Sequence, residues 1–419
     1  MSPPPKNPSR PSTAFANAAF RANFTTYVLA MMADNIEHVI SYWVAFQKFH
    51  SPALAGFAVI SHWTPFLLFS VAVGALGDRF DPRRLVQCGM ALFITCSLGW
   101  GWFFLTDSLT MSDAVVLLTI HGIAGVLWQT SNQLLLHDLV GHAQLSSAVR
   151  LNATARYLGV LVGPAVGGII LLGLGPVHGL FLNAVFYLPL VLWMWKAPCG
   201  PRFRRGEPPP ARAVRGLTDI LDTVRDIAGH RIIVSVTLLA GAASFFIGNS
   251  YQAQMPGFAQ DLGHGNPGVA YSSLLAADAC GAMLAGILLE TLPLLRPNPR
   301  TALLLAVVWA IAIFCFALTR SYPAALALLF TAGVFELSFS SMAQTLVQLD
   351  APAAIRGRVI GLFNMASLGL RAFSGVTVGL LGSLVGVHVS LAAAAITLLV
   401  TILCLLLAQR SAGAVPAQG

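Results

Sequence analysis

The chain has 419 residues, 56% of them hydrophobic and only 10% charged, with a mean hydropathy of +0.75. An ordinary soluble domain is about a quarter charged, and here the apolar residues come in long blocks, which excludes a soluble domain in favour of an integral membrane protein. The formal net charge of +8 raises the question of a nucleic-acid partner, which the placement of the basic residues answers.

Residues 1–19, rich in Pro and Ser, contain no short apolar stretch ending at a small-residue cleavage site and read as a disordered cytoplasmic tail. Twelve blocks follow, each near the ~20 apolar residues that a bilayer requires: 20–45, 52–77, 85–105, 112–136, 151–174, 177–196, 231–256, 268–292, 301–319, 323–348, 357–382 and 387–409, here called spans one to twelve. Their length and unbroken apolarity select helices over the roughly ten-residue alternation of barrel strands. Residues 197–230 divide the spans six and six: a Pro- and Arg-rich linker precedes Leu217, Ile220, Leu221, Val224 and Ile227 at helical spacing, a short amphipathic helix lying on the membrane surface. The domains are therefore a six-helix bundle over 20–196, this cytoplasmic linker, a second bundle over 231–410 and a cytoplasmic tail over 411–419.

Of 24 Lys and Arg, 21 fall on one set of loops and helix ends; Lys48 and Arg320 fall on the other set, and Arg371 lies inside span eleven. This bias puts both termini in the cytoplasm and turns the basic charge toward the anionic inner leaflet, so no nucleic acid is needed to explain it. The six cysteines form no CxxC pair, and five lie in apolar segments, as small buried hydrophobes do. An offset of 212 residues lays Gly74-x-Leu76-x-Asp78 on Gly286-x-Leu288-x-Glu290, Asn152 on Asn364, and Gly163 and Gly167 on Gly375 and Gly379, the trace of an ancient duplication.

Three stretches carry a resemblance. After span two, "GALGDRFDPRR" places Gly74 and Gly77 where helices approach closely and gathers Asp78, Arg79, Arg83 and Arg84 at the membrane surface. Asp78 can pair with an arginine there or cap the next helix. In span five, "LGVLVGPAVGGII" sets Gly159, Gly163, Gly167 and Gly168 around Pro164, which lacks a backbone donor. The first stretch resembles the loop signature of the major facilitator superfamily, G-x-L-x-D-[RK]-x-G-[RK]-[RK], with Asp81 where a second glycine is usual and Pro82 replacing a basic residue. The second resembles the span-five motif of that superfamily's antiporters, and "RGRVIGLFNMASLG" after span ten resembles its siderophore- and macrolide-export branch. The resemblance covers about residues 20–410. It implies an all-α membrane protein of twelve transmembrane helices in two pseudo-symmetric six-helix bundles, monomeric and placed in the cell inner membrane, with the loop motif acting as a conformational switch.

A charge facing lipid costs at least about 2.5–3.5 kcal/mol at a helix centre, so ionisable residues mark inward-facing spans. Spans three, six, nine and twelve have none in their interiors. Span one carries Asp34 and Glu37 on one face, with His38 beside Asp34; span eight carries Asp278, span ten Glu336 and span eleven Arg371. Two carboxylates in a poorly hydrated cavity repel one another, and a proton on the pair relieves this. Asp34 and Glu37 are thus the leading proton-coupling candidates, with Asp278 and Glu336 behind them; the bland alternative has Asp34 and Asn35 bonding neighbouring helices while Glu37 and His38 reach outer water. Glu336 and Arg371 are expected to form a buried pair. His62 and His121 read as ordinary buried histidines. Trp128, Gln129, Asn132 and Gln133 in span four, with Asn249, Gln252 and Gln254 in span seven, are candidate substrate contacts.

There is no Walker loop, GxSxG or HExxH, so ATP and hydrolytic catalysis are not expected, and the histidines are scattered along the chain, so neither metal nor cofactor is expected. The sequence reads as a non-enzymatic, proton-coupled exporter of a siderophore- or drug-like small molecule. A facilitator or proton-driven importer on the same fold is the alternative, and a membrane sensor or enzyme a more distant one.

Overall fold

A computed structural model describes residues 13–49, 52–200, 217–248, 250–263, 267–292 and 295–413. Every regular element among them is helical. Span one is Ala18–Phe49, span two Pro52–Arg79 and span three Pro82–Leu105. Helical structure then runs over Met111–Lys196, broken only at Gly141 (φ 68°) and Gly175 (φ 73°), so residues 111–140, 142–174 and 176–196 are spans four, five and six. Both glycines sit in the left-handed region that a Cβ disfavours, which is how a continuous helical run turns back on itself. Spans eight, nine, ten and twelve are Pro267–Thr291, Pro299–Leu318, Tyr322–Asp350 and Val387–Gly413.

Spans seven and eleven depart from the continuous helices expected of them. Span seven is Arg231–Phe246, then Ser250–Ala253 and Met255–Asp261. The break falls at Gly248 (φ 49°), where a Cβ would stand 2.6 Å from that of Ser374, so a glycine is required both by conformation and by space. Span eleven begins as Arg356–Asn364 and then widens into π-type turns over Met365–Gly369 and Gly375–Leu380, with Arg371 between them. Such widened turns commonly mark functional positions in helices.

The expected N-terminal tail needs correcting where it is described. Residues 13–17 form a short turn with Ala14 fully buried, and helix begins at Ala18. Residues 1–12, most of the linker (201–216) and residues 414–419 lie outside the described residues. The surface helix is present as Leu217–Ile227. Its buried side carries Asp219, Thr223 and Ile227, one turn apart, while Leu221 and Val224 point outward. The charge-free spans are peripheral: Leu304, Val308, Ile311 and Leu318 of span nine, and Ile396, Val400, Leu403 and Leu407 of span twelve, form outward apolar stripes at helical spacing.

The two halves meet at the face that bears the arginines. Span two packs on span eleven through glycine: a Cβ on Gly361 would lie 2.7 Å from Val71 Cα, and Gly74 abuts the Gly357 carbonyl. Asp78 crosses between the halves, accepting from the backbone N–H of Gly357 at 2.7 Å and of Arg358 at 3.1 Å. It therefore caps span eleven, not the next helix. The next helix is capped by Asp81, whose carboxylate takes the N–H of Arg83 at 3.0 Å and pairs with the Arg83 side chain at 2.7 Å. Arg84 reaches Gln87 and Arg79 lies over the Phe80 ring, so the expected charge cluster is divided among separate partners. Glu290, the counterpart of Asp78 across the duplication, accepts from Thr13, from Ser147 at 2.5 Å and from Arg150 at 3.0 Å. Two acids related by the repeat thus clamp the same face. At the opposite end, residues 250–261 and 375–385 pack within the second half.

Candidate functional site

In the first half, His121 of span four sits between the two acids of span one. Its Nε2 is 2.8 Å from Asp34 Oδ1 and its Nδ1 is 2.9 Å from Glu37 Oε1. The Asp34 contact is at ion-pair distance but off the direction of a hydrogen bond. Ser97 of span three donates to Glu37, and Asn183 of span six donates to Ser97 at 3.1 Å. Asp34, Glu37 and His121 are all buried. As an imidazolium, His121 leaves the group one negative charge; as neutral imidazole, it leaves two. Unbalanced charge is costly in such buried surroundings. The reading of Glu37 as reaching outer water is corrected, since it is 1% exposed and held from two spans, and Asn35 bonds back to Met31 of its own helix.

Span five presses its glycine motif on this same stretch. A Cβ on Gly159 would lie 3.0 Å from Met32 N, on Gly163 2.5 Å from Asn35 Cβ, and on Gly167 3.2 Å from Ile36 Cα. Helix continues through Pro164. Gly168 meets nothing within 4 Å and takes no part in the contact. Gly163→Val is therefore expected to cost about 1–3 kcal/mol by overpacking, whereas Gly168→Ala stays within about 0.5 kcal/mol of the parent. Thermal melting of both variants in detergent checks this.

The second half repeats the arrangement with a tyrosine in place of the histidine. Tyr251, just beyond the break in span seven, donates to Asp278 Oδ2 at 3.1 Å and lies 3.5 Å from Glu336 Oε2. Gln252 donates to Asp278 Oδ2 at 3.2 Å, so its side chain serves the acid and is not a free substrate contact. The expected Glu336–Arg371 pair is absent: Arg371 donates to the Ser367 carbonyl at 3.2 Å and stacks over the Trp63 ring at 5.0 Å.

Between the halves lies a cleft with a cavity of about 90 Å³. Arg156, Arg371 and Glu336 line it, with Gln129, Gln133, Gln344 and the aromatic rings of Tyr27, Tyr157, Trp309 and Phe363. Gln133 donates to Asn364 at 3.0 Å and Asn364 donates to Thr130 at 3.2 Å, joining the halves at the cleft wall. Of the substrate candidates, Gln129 and Gln133 are on this wall. Asn132 stands behind it, donating to Asn152 at 3.1 Å. Trp128 is fully buried against Tyr27 and Phe93 in the core of the first bundle, so its assignment as a cleft contact is corrected. Asn249 lies outside the described residues.

Residues 13–375 match the family model of the Major Facilitator Superfamily. The chain belongs to that superfamily. Within it, the chain is 23% identical over 395 residues to the enterobactin exporter EntS of Shigella boydii serotype 4 (strain Sb227), covering 93% of this chain and 91% of that one. It is 24% identical over 153 residues to the staphyloferrin A transporter of Staphylococcus aureus (strain NCTC 8325 / PS 47), covering 35% of this chain and 38% of that one. Among solved structures, the proton:xylose symporter XylE superposes with a TM-score of 0.71 at 17% identity, covering 92% of this chain and 95% of that one. The protein is accordingly a multi-pass membrane transporter of the major facilitator fold, not an enzyme.

For this major facilitator protein, the residue that sequence reasoning undervalued is His121. Nothing local to span four distinguishes it; the only signal was that spans one, two and four each carry histidine in otherwise apolar surroundings. Tyr251 was missed for a related reason, since an aromatic in a membrane helix has many roles. The structure brings His38, His62 and His121 together from those three spans, a grouping that the linear spacing conceals.

Proposed function

We propose that the chain exports a siderophore- or drug-like small molecule from the cytoplasm in exchange for protons, by rocking of its two halves about the cleft. The observation that carries this reading is the pair of buried carboxylate centres, Asp34–His121–Glu37 and Asp278–Tyr251–Glu336, one in each half and the second opening onto the cleft. The basic bias of the clamped face supports a cytoplasmic placement of that face and of both termini. The cleft then faces outward, in the state that releases cargo and takes up a proton. Two arginines among aromatic rings suit an anionic, ring-bearing molecule, and the names of the enterobactin exporter and staphyloferrin A transporter relatives support a siderophore as cargo.

Cells lacking the protein are expected to accumulate such a compound internally, and expression should discharge it; an unchanged internal metabolite profile contradicts export. Arg371→Ala should weaken binding of an anionic cargo by about 1.5–3 kcal/mol, the worth of a hydrogen bond to a charged group. Titration calorimetry on the purified protein, with enterobactin as the first probe, reads this.

A further inference from the structure

We infer that His38, His62 and His121, with Asp34, form a binding site for one divalent transition-metal ion of borderline softness, Zn²⁺ or Co²⁺, inside the first bundle. The three imidazoles come from spans one, two and four, and each offers a nitrogen within 4.8 Å of the others. Two imidazole nitrogens here lack a hydrogen-bond partner, His38 Nε2 and His62 Nδ1, while His121 Nε2 and Asp34 Oδ1 face each other at 2.8 Å off the direction of a hydrogen bond. Buried polar groups are normally satisfied, and two unpartnered imidazoles beside a third that holds a carboxylate point to a ligand they share.

The donor set matches the ion. Neutral imidazole and carboxylate suit zinc and its neighbours in four-coordinate geometry. Glu37 already holds His121 Nδ1 at 2.9 Å, and Ser97 holds Glu37 in turn. That is the outer carboxylate that fixes a ligating imidazole with its other nitrogen toward the metal. Asp34 Oδ1 stands 2.8 Å from that nitrogen, on the same side as the ion would be. Metal–nitrogen bonds of ~2.0–2.1 Å require the rings to draw in by roughly an ångström. Charge also closes: a divalent cation balances Asp34 and Glu37 where one imidazolium balances only one of them. His38 and His62 are half-buried. A bound ion would tie spans one, two and four together and occupy the histidine that bridges the two acids.

The test uses the full-length chain, purified in detergent and stripped with chelator. Equilibrium dialysis with Zn²⁺ should give one ion per chain, and Co²⁺ should develop the visible absorption of a four-coordinate centre. His38→Ala and His62→Ala should each lower Zn²⁺ affinity at least tenfold, and Glu37→Gln by about 10–100-fold as an outer partner. His388→Ala, whose ring lies against Asp261 in the other half, should change nothing. Thermal melting without metal verifies that each variant is folded, and the two half-buried positions decide the matter if others fail to fold. Absence of stoichiometric Zn²⁺ and Co²⁺ binding to the parent protein overturns the site, as does binding that survives His38→Ala together with His62→Ala. Because binding is read on resting protein without cargo or gradient, this result stands or falls apart from proton exchange.

Discussion

His121→Phe is expected to cost about 3–5 kcal/mol of stability, the penalty for stranding buried charge by removing one partner. Asp34 and Glu37 would be left side by side with no cation between them. Adding Asp34→Asn and Glu37→Gln should recover most of that loss, because the triple variant no longer buries unpaired charge. Transport separates from stability in this series. Asp34→Asn or Glu37→Gln alone should reduce the response of flux to an imposed proton gradient by about 5–150-fold, the range of ordinary coupling energies, and the triple variant should be stable yet uncoupled. Melting temperatures and gradient-driven flux, measured on the same preparations, check both halves of this expectation. A triple variant as unstable as His121→Phe would show that His121 matters for packing against Phe93 and not for charge.

The second large effect is conformational. Asp78 caps span eleven from the opposite half, and Glu290 gathers Thr13, Ser147 and Arg150 in the mirror position. These contacts hold the halves together at the arginine-bearing face only. Loss of a helix cap costs about 0.5–2 kcal/mol, so Asp78→Ala should shift the balance of the two access states roughly 2–30-fold away from the clamped one. Removing Glu290 as well should move the population further, since the two clamps share no partner. Spin labels on cysteines placed at Ser108 and Arg320, exposed loop positions at the far end of each half, read the change by electron–electron distance measurement. The long distance of the parent should give way to a shorter one in the double variant. A distribution that does not move would mean that glycine packing at Gly74, Gly357 and Gly361 closes this face without the acids.

Much of the architecture was legible because the bilayer imposes simple rules. Length and apolarity locate the spans, and the charge-free pattern of spans three, six, nine and twelve marks the peripheral helices. The glycines of span five announce a close approach but not its partner; only the fold shows that they press on the stretch from Met31 to Val39 that holds both acids. Pairings between distant spans were harder. Glu336 and Arg371 both line the cleft, and their opposite charges invite pairing, yet Tyr251 reaches the acid while Trp63 and Ser367 hold the arginine. The reason is local backbone: the break at Gly248 positions Tyr251 near Asp278, and Arg371 sits between widened turns that span eleven could not be seen to contain. Asp81 is the reverse case, a departure from the family pattern that proves to be the cap and ion-pair partner of span three.

The most direct measurement of the central claim is flux into inside-out proteoliposomes with an acidic lumen, with enterobactin as the probe. The account predicts that cargo accumulates in the lumen against its own gradient, that collapsing the proton gradient stops this accumulation, and that Asp34→Asn reduces it at least about fivefold while unforced equilibration of cargo persists. Accumulation indifferent to the proton gradient, or undiminished in Asp34→Asn, Glu37→Gln, Asp278→Asn and Glu336→Gln alike, would contradict it.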